Sequence, residues 1–97
     1  MRIIYLRKLL DFSRKHGDAV KSLSVWKNIV DKAEWKSPTD IRESFPTVKI
    51  INGLRSRFKI VGNKYRIIIE VDFEDELVEI RFIGTHAEYD TINALII

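Results

Sequence analysis

Apolar side chains recur at intervals of three and four residues in two stretches of the first third of the chain. The first stretch follows a short β-prone segment, residues 1–5, and ends at His16-Gly17. Its apolar positions are Leu6, Leu9, Leu10 and Phe12, and those of the second stretch are Leu23, Trp26, Ile29 or Val30, and Ala33. Because 3.6 residues make one helical turn, each series forms one apolar face. The pattern predicts two amphipathic helices joined by a tight turn, with Asp18 as the N-cap residue of the second.

Residues 37–53 carry the signals of a short helix followed by a short strand. The segment Ser37-Pro38-Thr39-Asp40 combines an N-cap serine, a proline at the first helical position and an acid in the first turn. We expect this helix to run to about Ser44, because Phe45-Pro46 cannot continue it. A brief strand is predicted for residues 47–51.

In the second half of the chain apolar and polar positions alternate, which is the period of a β-strand. Two alternating segments, 54–61 and 64–72, flank Gly62-Asn63, and this pair predicts a two-residue hairpin turn. A polar turn at 74–76 leads into a third strand, residues 77–84. The side chains expected on the core face of the last two strands are Ile67, Ile69, Val71, Val78, Ile80 and Phe82.

These elements predict an α+β fold in a single domain, residues 1–97. The N-terminal helices are expected to cover one face of a small, mainly antiparallel β-sheet, and a short C-terminal helix to follow the last strand. Two Trp and five Phe are enough to fill one modest core. Trp26 and Trp35 can also serve as platforms for base stacking. We assign both to the core, because aromatic residues at helical spacing are usually buried.

The sheet face opposite the core is expected to collect cations. The hairpin register puts Lys59 opposite Arg66, and like charges in this position destabilise a sheet on their own. We therefore interpret the pair as a site that binds an anion. Arg57 lies on the same face of its strand, and Arg81 on the third strand points away from the core. In one of two plausible registers Glu70 lies opposite Arg81 and orients it.

The third strand runs into a cluster of proton-handling side chains. Thr85, followed three residues later by Glu88, forms a capping-box pattern that predicts the start of a helix. His86, Tyr89 and Asp90 then share one helical face at spacings of three and four. An imidazole and a phenol are thereby held directly after a strand that carries an arginine.

The net charge of +3 hides a strong asymmetry along the chain. Residues 54–66 hold five cations and no acid, and residues 1–36 hold nine cations and four acids. Residues 67–97 reverse the balance, with eight acids and one cation. A basic block of this size suggests a polyanionic partner, although a solvated strand face accounts for the charge equally well.

Composition argues against several classes of site and location. The chain has no cysteine, which removes disulfides, thiol nucleophiles and cysteine-based zinc sites, and its two histidines are far apart. We therefore expect neither a metal nor a cofactor. No run approaches the roughly 18 apolar residues of a membrane span, and the charged N-terminus does not resemble a signal peptide. We expect a cytoplasmic protein without membrane contact.

The predicted cation face suits an RNA phosphodiester. The 2′-hydroxyl attacks the neighbouring phosphorus without a metal when one group removes its proton, another protonates the leaving 5′-oxygen and cations stabilise the non-bridging oxygens. His86 is the best single candidate for acid or base, and the partner role falls to Lys59 or Tyr89. Tyr89 can also orient the substrate or stack on a base. The predicted catalytic residues are His86, Tyr89, Lys59, Arg66 and Arg81, and the predicted RNA-binding residues are Arg57 and Lys64.

Four short sequence motifs, together with the predicted order of helices and strands, resemble those of a known family. The motifs are Trp35-Lys36-Ser37-Pro38, Phe45-Pro46, Gly62-Asn63-Lys64-Tyr65-Arg66 and Arg81-Phe82-Ile83-Gly84-Thr85-His86-Ala87-Glu88-Tyr89-Asp90. They are similar to those of the HigB-type toxins of bacterial type II toxin–antitoxin modules, and the resemblance covers nearly the whole chain. It implies a RelE-like fold and the activity of that superfamily, whose small basic ribonucleases cleave mRNA, usually on a translating ribosome, and so inhibit translation. It also implies that the polar face is the site of RNA cleavage.

The resemblance implies partners as well. A helix-turn-helix antitoxin of the HigA type is expected to inhibit the toxin and to bind operator DNA together with it. From the residues alone, two other classes of function stay open: a non-catalytic RNA- or ribosome-binding module, and a domain that binds only a protein through its sheet face. A steep loss of affinity with salt distinguishes the RNA-binding classes from the last one, and the ends of the RNA products distinguish cleavage from binding.

Overall fold

Five β-strands form one mixed sheet, and four α-helices accompany it. The computed structural model describes all of residues 1–97. In chain order the elements are β1 (Arg2–Ile4), α1 (Arg7–Lys15), a single 3₁₀ turn (Gly17–Ala19), α2 (Val20–Lys32), α3 (Pro38–Ser44), β2 (Lys49–Ile50), β3 (Arg55–Ile60), β4 (Tyr65–Asp72), β5 (Leu77–Thr85) and α4 (His86–Tyr89). None of these helices has both the length and the apolar character needed to cross a membrane.

The sheet has the strand order β1-β5-β4-β3-β2. β1 runs parallel to β5, and every other neighbouring pair is antiparallel. The hydrophobic core lies between the helices and one face of the sheet, where Trp26 and Trp35 are buried and both pack against Phe45. Removing this single apolar face from water is what holds the helices on the sheet. The predicted α+β fold and the core position of both tryptophans are confirmed.

The hairpin of β3 and β4 has the register that its turn predicts. Phe58 lies opposite Ile67 on the core side, and Lys59 lies opposite Arg66 on the other side. The chain reverses at Gly62, whose φ of 63° lies in the left-handed region that glycine adopts at little cost. The pair of like charges expected from the sequence is therefore present.

The start of the second helix differs from the prediction. Asp18 lies in the 3₁₀ turn, and α2 begins at Val20 with Ala19 as its N-cap residue. The Asp18 carboxylate instead pairs with the Lys64 ammonium and accepts a hydrogen bond of 2.6 Å from the Tyr65 hydroxyl. These hydrogen bonds, with that from Lys64 the stronger cause, lower the pKa of Asp18. Two donors from the hairpin, one of them charged, outweigh a single backbone N–H, so Asp18 ties the turn between the helices to the sheet.

A β-bulge in β5 overturns the expected core position of Phe82. Ile80 and Phe82 pair with consecutive residues of β4, so Arg81 is an extra residue between them. The extra residue reverses the alternation of side chains beyond it. Phe82 therefore lies on the face away from the helices, and Ile83 packs against the core in its place.

Glu70 does not orient Arg81 as one of the two registers suggested. Glu70 lies opposite Glu79 on β5, because the turn before β5 sets the other register. Its carboxylate accepts a hydrogen bond of 3.2 Å from the Nε of Arg55 on β3. Arg81 donates through Nη1 to the Glu79 carboxylate within its own strand. Two ion pairs therefore lie side by side at this end of the sheet.

The tail, residues 91–97, folds back over this end of the face that points away from the helices. Arg55 donates through Nη1 to the main-chain oxygens of Ala94 (3.1 Å) and Ile97 (2.8 Å). Arg81 donates through Nε to the same Ile97 oxygen (3.0 Å). The second face is therefore divided between a part that the tail binds and a part that it does not bind.

We call the region of Arg55, Glu70, Glu79 and Arg81 the covered half of this face. The open half is the region of Arg57, Lys59, Arg66 and Phe82. Ile68 lies between them on β4 and is fully buried, although it is not part of the core beneath the helices. The cation face predicted from the sequence exists, but its residues are in two different environments.

Candidate active site

One row of residues crosses the open half from β3 to β5. Lys59 lies opposite Arg66, and Arg66 lies opposite Gly84. Lys59 is exposed to solvent, and Gly84 has no side chain that would cover its neighbour. Helix α4 begins directly after β5 and brings Tyr89 against Arg66. Two cations and a phenol thus meet where the strand ends.

Arg66 is the central cation of this row. The residue is only 5% exposed, and its Cζ lies 4.9 Å from the centre of the Tyr89 ring. Its Nη2 donates to the side-chain oxygen of Asn63, whereas its Nε is buried without any hydrogen-bond partner. Burying a cationic donor without a partner costs free energy, and a bound anion would offset that cost. The unpaired Nε of Arg66 is therefore the strongest structural indication of an anion site.

A neighbouring row adds two more cations. Arg57 on β3 lies opposite Lys49 on β2, and the Nε of Arg57 is also buried without a partner. Lys49 is exposed and is not among the residues predicted from the sequence, because a two-residue strand has too little pattern to reveal its face. No local signal gives this pair, because pairing residues outward from a two-residue Asn52-Gly53 turn places Lys49 opposite Ser56, one position away from the observed register.

The first turn of α4 is fixed by its capping box. The backbone N–H of Glu88 donates to the Thr85 hydroxyl (3.1 Å), and the backbone N–H of Thr85 donates to the Glu88 carboxylate (2.9 Å). The backbone hydrogen bond from Thr85 is the main reason that the pKa of Glu88 is lowered, and the charges of His16 and Lys15 contribute less. The capping box predicted from the sequence is confirmed. Glu88 is thereby committed to a structural contact.

His86 is accessible and has one defined partner. Its Nδ1 lies 3.0 Å from the Asp90 carboxylate, and its side chain is 44% exposed. The backbone N–H of His86 donates to the main-chain oxygen of Lys64 (3.0 Å), which ties the helix to the β3–β4 hairpin. A carboxylate on Nδ1 favours a proton there and leaves Nε2 as the nitrogen that can exchange a proton with a ligand. No three His, Asp or Glu side chains converge around this pair or elsewhere in the chain.

Phe82 adds an aromatic side chain beside the active-site row. Its ring centre lies 6.3 Å from that of Tyr89. A Cβ on Gly84 would come within 2.6 Å of the Phe82 ring, so only glycine leaves room for the ring in this position. The alternation of apolar residues along the strand predicted a core position for Phe82. The only hint otherwise was the pair of consecutive apolar residues, Phe82 and Ile83, which breaks strict alternation.

Two of the predicted site residues lie apart from the open half. Arg81 belongs to the covered half, although its side chain is 32% exposed and its Nη2 makes no hydrogen bond within the chain. Lys64 lies on the hairpin turn with its ammonium paired to Asp18. The other five predicted residues lie on the open half or on α4 beside it: Arg57, Lys59, Arg66, His86 and Tyr89.

Residues 19–92 match the HigB toxin family, described as the RelE-like toxic component of a toxin–antitoxin system. The chain belongs to the HigB toxin family. The resemblance inferred from the four sequence motifs is confirmed, and the observed α+β architecture agrees with a RelE-like fold. The matched range contains every residue of the open half and all of α4.

Individual relatives extend this similarity over almost the whole chain. An mRNA interferase toxin HigB of Escherichia coli strain K12 is 29% identical over 97 residues, covering 98% of this chain and 93% of the relative. An mRNA interferase HigB of Shigella flexneri has the same identity and coverage. A second E. coli mRNA interferase HigB, from strain CFT073, is 23% identical over 95 residues, covering 95% of this chain and 91% of the relative. As a toxic component of a toxin–antitoxin system, a HigB toxin has an antitoxin as its partner.

Proposed function

We propose that this HigB toxin is an mRNA endoribonuclease that inhibits translation. The observation that carries the proposal is the buried Arg66 guanidinium, which has an unused Nε and packs against Tyr89 in a row with Lys59. Such a cluster suits the negative charge of an RNA phosphate. The name shared by the relatives, mRNA interferase, supports the same reading.

The cations of the open half would hold the phosphate group. Arg66 would bind a non-bridging oxygen through its guanidinium, with a small shift of the side chain that exposes the unpaired Nε, and Lys59, which lies opposite, adds a mobile ammonium group. Arg57 and Lys49, one row away, suit the next phosphate of the strand. Asn63 and Tyr89 hold the Arg66 guanidinium before the substrate binds, and this preorganisation favours stabilisation of the charge that develops on the phosphorane oxygens.

The reaction we propose needs no metal. The 2′-hydroxyl loses its proton, its oxygen bonds to the phosphorus, and the bond to the 5′-oxygen breaks as that oxygen gains a proton. The products are a 2′,3′-cyclic phosphate and a 5′-hydroxyl end. His86 transfers one of the two protons through Nε2, and Asp90 holds its Nδ1 side. Tyr89 or Lys59 handles the other proton.

Arg81 and Lys64 have different parts in this proposal. Arg81 presents only its Nη2 to RNA, because Glu79 and the tail occupy Nη1 and Nε. We assign it a supporting role in charge stabilisation. Lys64 would have to leave Asp18 in order to bind RNA, so its ammonium is a weaker contact than those of Arg57 and Lys59.

The proposal includes the cellular partners that the sequence resemblance implied. We propose that cleavage takes place on mRNA in the translating ribosome, in the bacterial cytoplasm. An antitoxin of the HigA type, with a helix-turn-helix motif, would inhibit the toxin and bind operator DNA as part of the complex. The basic face supports contact with RNA, because phosphate neutralisation by cations favours binding of any RNA strand.

Induced expression with mapping of RNA ends tests the proposal. We expect growth arrest and mRNA fragments with 5′-hydroxyl and 2′,3′-cyclic or 3′-phosphate ends. Arg66→Ala serves as the inactive control. Stalling ribosomes with chloramphenicol tests ribosome dependence, because the cleavage pattern should change when translocation stops. Intact mRNA in a translating extract with the active protein would refute the nuclease proposal and favour a binding module.

A further inference from the structure

A groove of about 420 Å³ lies between α1 and the outer edge of β5. It exists because β1 pairs only with residues 77–79 of β5 and leaves the rest of that edge without a neighbouring strand. Lys8 donates through Nζ to the main-chain oxygen of Ile80 (3.2 Å) and so holds α1 along the edge. The volume falls within the range of small-molecule sites, roughly 300–1,000 Å³.

One of the cations that line the groove has no partner within the chain. Lys8 and Lys15 line the α1 side together with His16, Arg81 lines the β5 side, and two acids, Asp11 and Glu88, also border the groove. Asp11 pairs with neighbouring arginines of α1, and Glu88 closes the capping box of α4. Lys15 is exposed and forms neither an ion pair nor a side-chain hydrogen bond. The groove therefore offers a free cation to an anionic ligand.

Aromatic rings border the groove on both sides. Phe82 lies on the β5 side, and His16, stacked on Phe12 with ring centres 4.2 Å apart, lies on the α1 side. Phe82 also faces Tyr89 of the candidate active site. A flat, unpaired base stacks favourably on such rings whatever its identity. The groove thus combines a cation for a phosphate with aromatic surface for a base, next to the proposed cleavage site.

We propose that this groove is a nucleotide subsite for single-stranded RNA. It holds the nucleotide that flanks the cleaved phosphodiester, with its base against Phe82 and its phosphate on Lys15. The subsite rests on the proposed function, because it extends the path of the same RNA strand from the open half around the edge of the sheet. Its ligand is a nucleotide within an RNA chain.

Binding of a non-cleavable RNA tests the subsite directly. The probe is a mixed-sequence, single-stranded RNA hexamer with 2′-O-methyl groups, which lacks the attacking hydroxyl, and its affinity is measured by fluorescence anisotropy across a salt series. Lys15→Gln should weaken binding several-fold and reduce the slope of log affinity against log salt by about 0.7, the value for one phosphate contact on a single strand. Phe82→Leu should weaken binding about tenfold with an unchanged salt slope, because a stacking contact is lost and no charge.

Lys32→Gln, at the far end of α2, is the matched control for the loss of one exposed lysine. Its salt slope should stay that of the wild type. If Lys15→Gln behaves like Lys32→Gln while the wild type still binds and cleaves RNA, the subsite is refuted and the proposed function stands. If the wild type neither binds the hexamer nor cleaves mRNA, both fail. If both groove variants weaken binding of the antitoxin and leave binding of the hexamer unchanged, the groove is a protein contact and the subsite is likewise refuted.

Discussion

On the sheet face that points away from the helices, the arginines of the covered half and those of the open half differ in their hydrogen bonding. In the covered half, Arg55 and Arg81 donate to carboxylates of β4 and β5 and to main-chain oxygens of the tail. In the open half, Arg57 and Arg66 each keep a buried Nε without a partner. Both halves contain the same residue type on the same surface. Position on a face therefore does not show whether an arginine is structural or binds a ligand. The hydrogen bonds of its guanidinium are the better indication.

The largest effect is expected from Arg66→Ala in the open half. Removing the central phosphate donor should lower cleavage by about a hundredfold to a thousandfold and abolish growth inhibition. The protein should stay folded, because the change also removes the cost of an unpaired buried donor. Cleavage rate and thermal unfolding of the purified variant check both points. An unfolded variant would mean that Arg66 is structural and that the comparison of the two halves is wrong.

His86→Gln should have the next largest effect. Glutamine keeps a polar side chain on the first turn of α4 but cannot exchange a proton, so cleavage should fall by about a hundredfold, the usual contribution of general acid–base catalysis. Binding of a non-cleavable RNA should change little, because the cations of the open half remain. Single-turnover cleavage and RNA affinity are the two measurements. Cleavage near the wild-type rate would assign the proton transfer to another residue.

A matched pair in the covered half sharpens the comparison. Arg81→Ala should reduce cleavage by about tenfold, because only its Nη2 is free for RNA. Arg55→Ala should leave cleavage within a few-fold of the wild type but lower the free energy of unfolding by about 1–3 kcal/mol, since it leaves Glu70 and the tail oxygens without their donor. Urea unfolding and cleavage assays on both variants check this. A loss of cleavage in Arg55→Ala as large as in Arg66→Ala would erase the distinction between the halves.

The smallest effect concerns stability and pH at Asp18, on the other side of the sheet. The pKa of Asp18 is lowered by its hydrogen bonds from Lys64 and Tyr65, so the folded state favours the ionised carboxyl. This contribution to stability is fully present above the ordinary pKa of 3.8 and is lost as the pH falls through the lowered value. Asp18→Asn should therefore lower the unfolding temperature at neutral pH, and the difference from the wild type should shrink in acid. A difference that does not depend on pH would show that the charge of Asp18 is unimportant.

The sequence by itself determined the elements whose signals are local. The two amphipathic helices, the Gly62 turn with the Lys59–Arg66 pair that follows from it, and the Thr85–Glu88 capping box depend on residues close together in the chain. Periodicity, turn chemistry and capping act over a few residues, so they can be recognised without coordinates. The residues of α4 and of the β3–β4 hairpin were located in this way.

Only the tertiary structure decided which cations are free. Alternation cannot reveal the inserted residue at Arg81 that moves Phe82 to the second face, and nothing near Asp18 in the chain indicates that its partners are Lys64 and Tyr65. The return of the tail over Arg55 is likewise a contact between distant segments. Whether a charged group is paired depends on which distant groups reach it in space. For that reason the cations of the face were predictable from the sequence, and the partners that each of them finds in the fold were not.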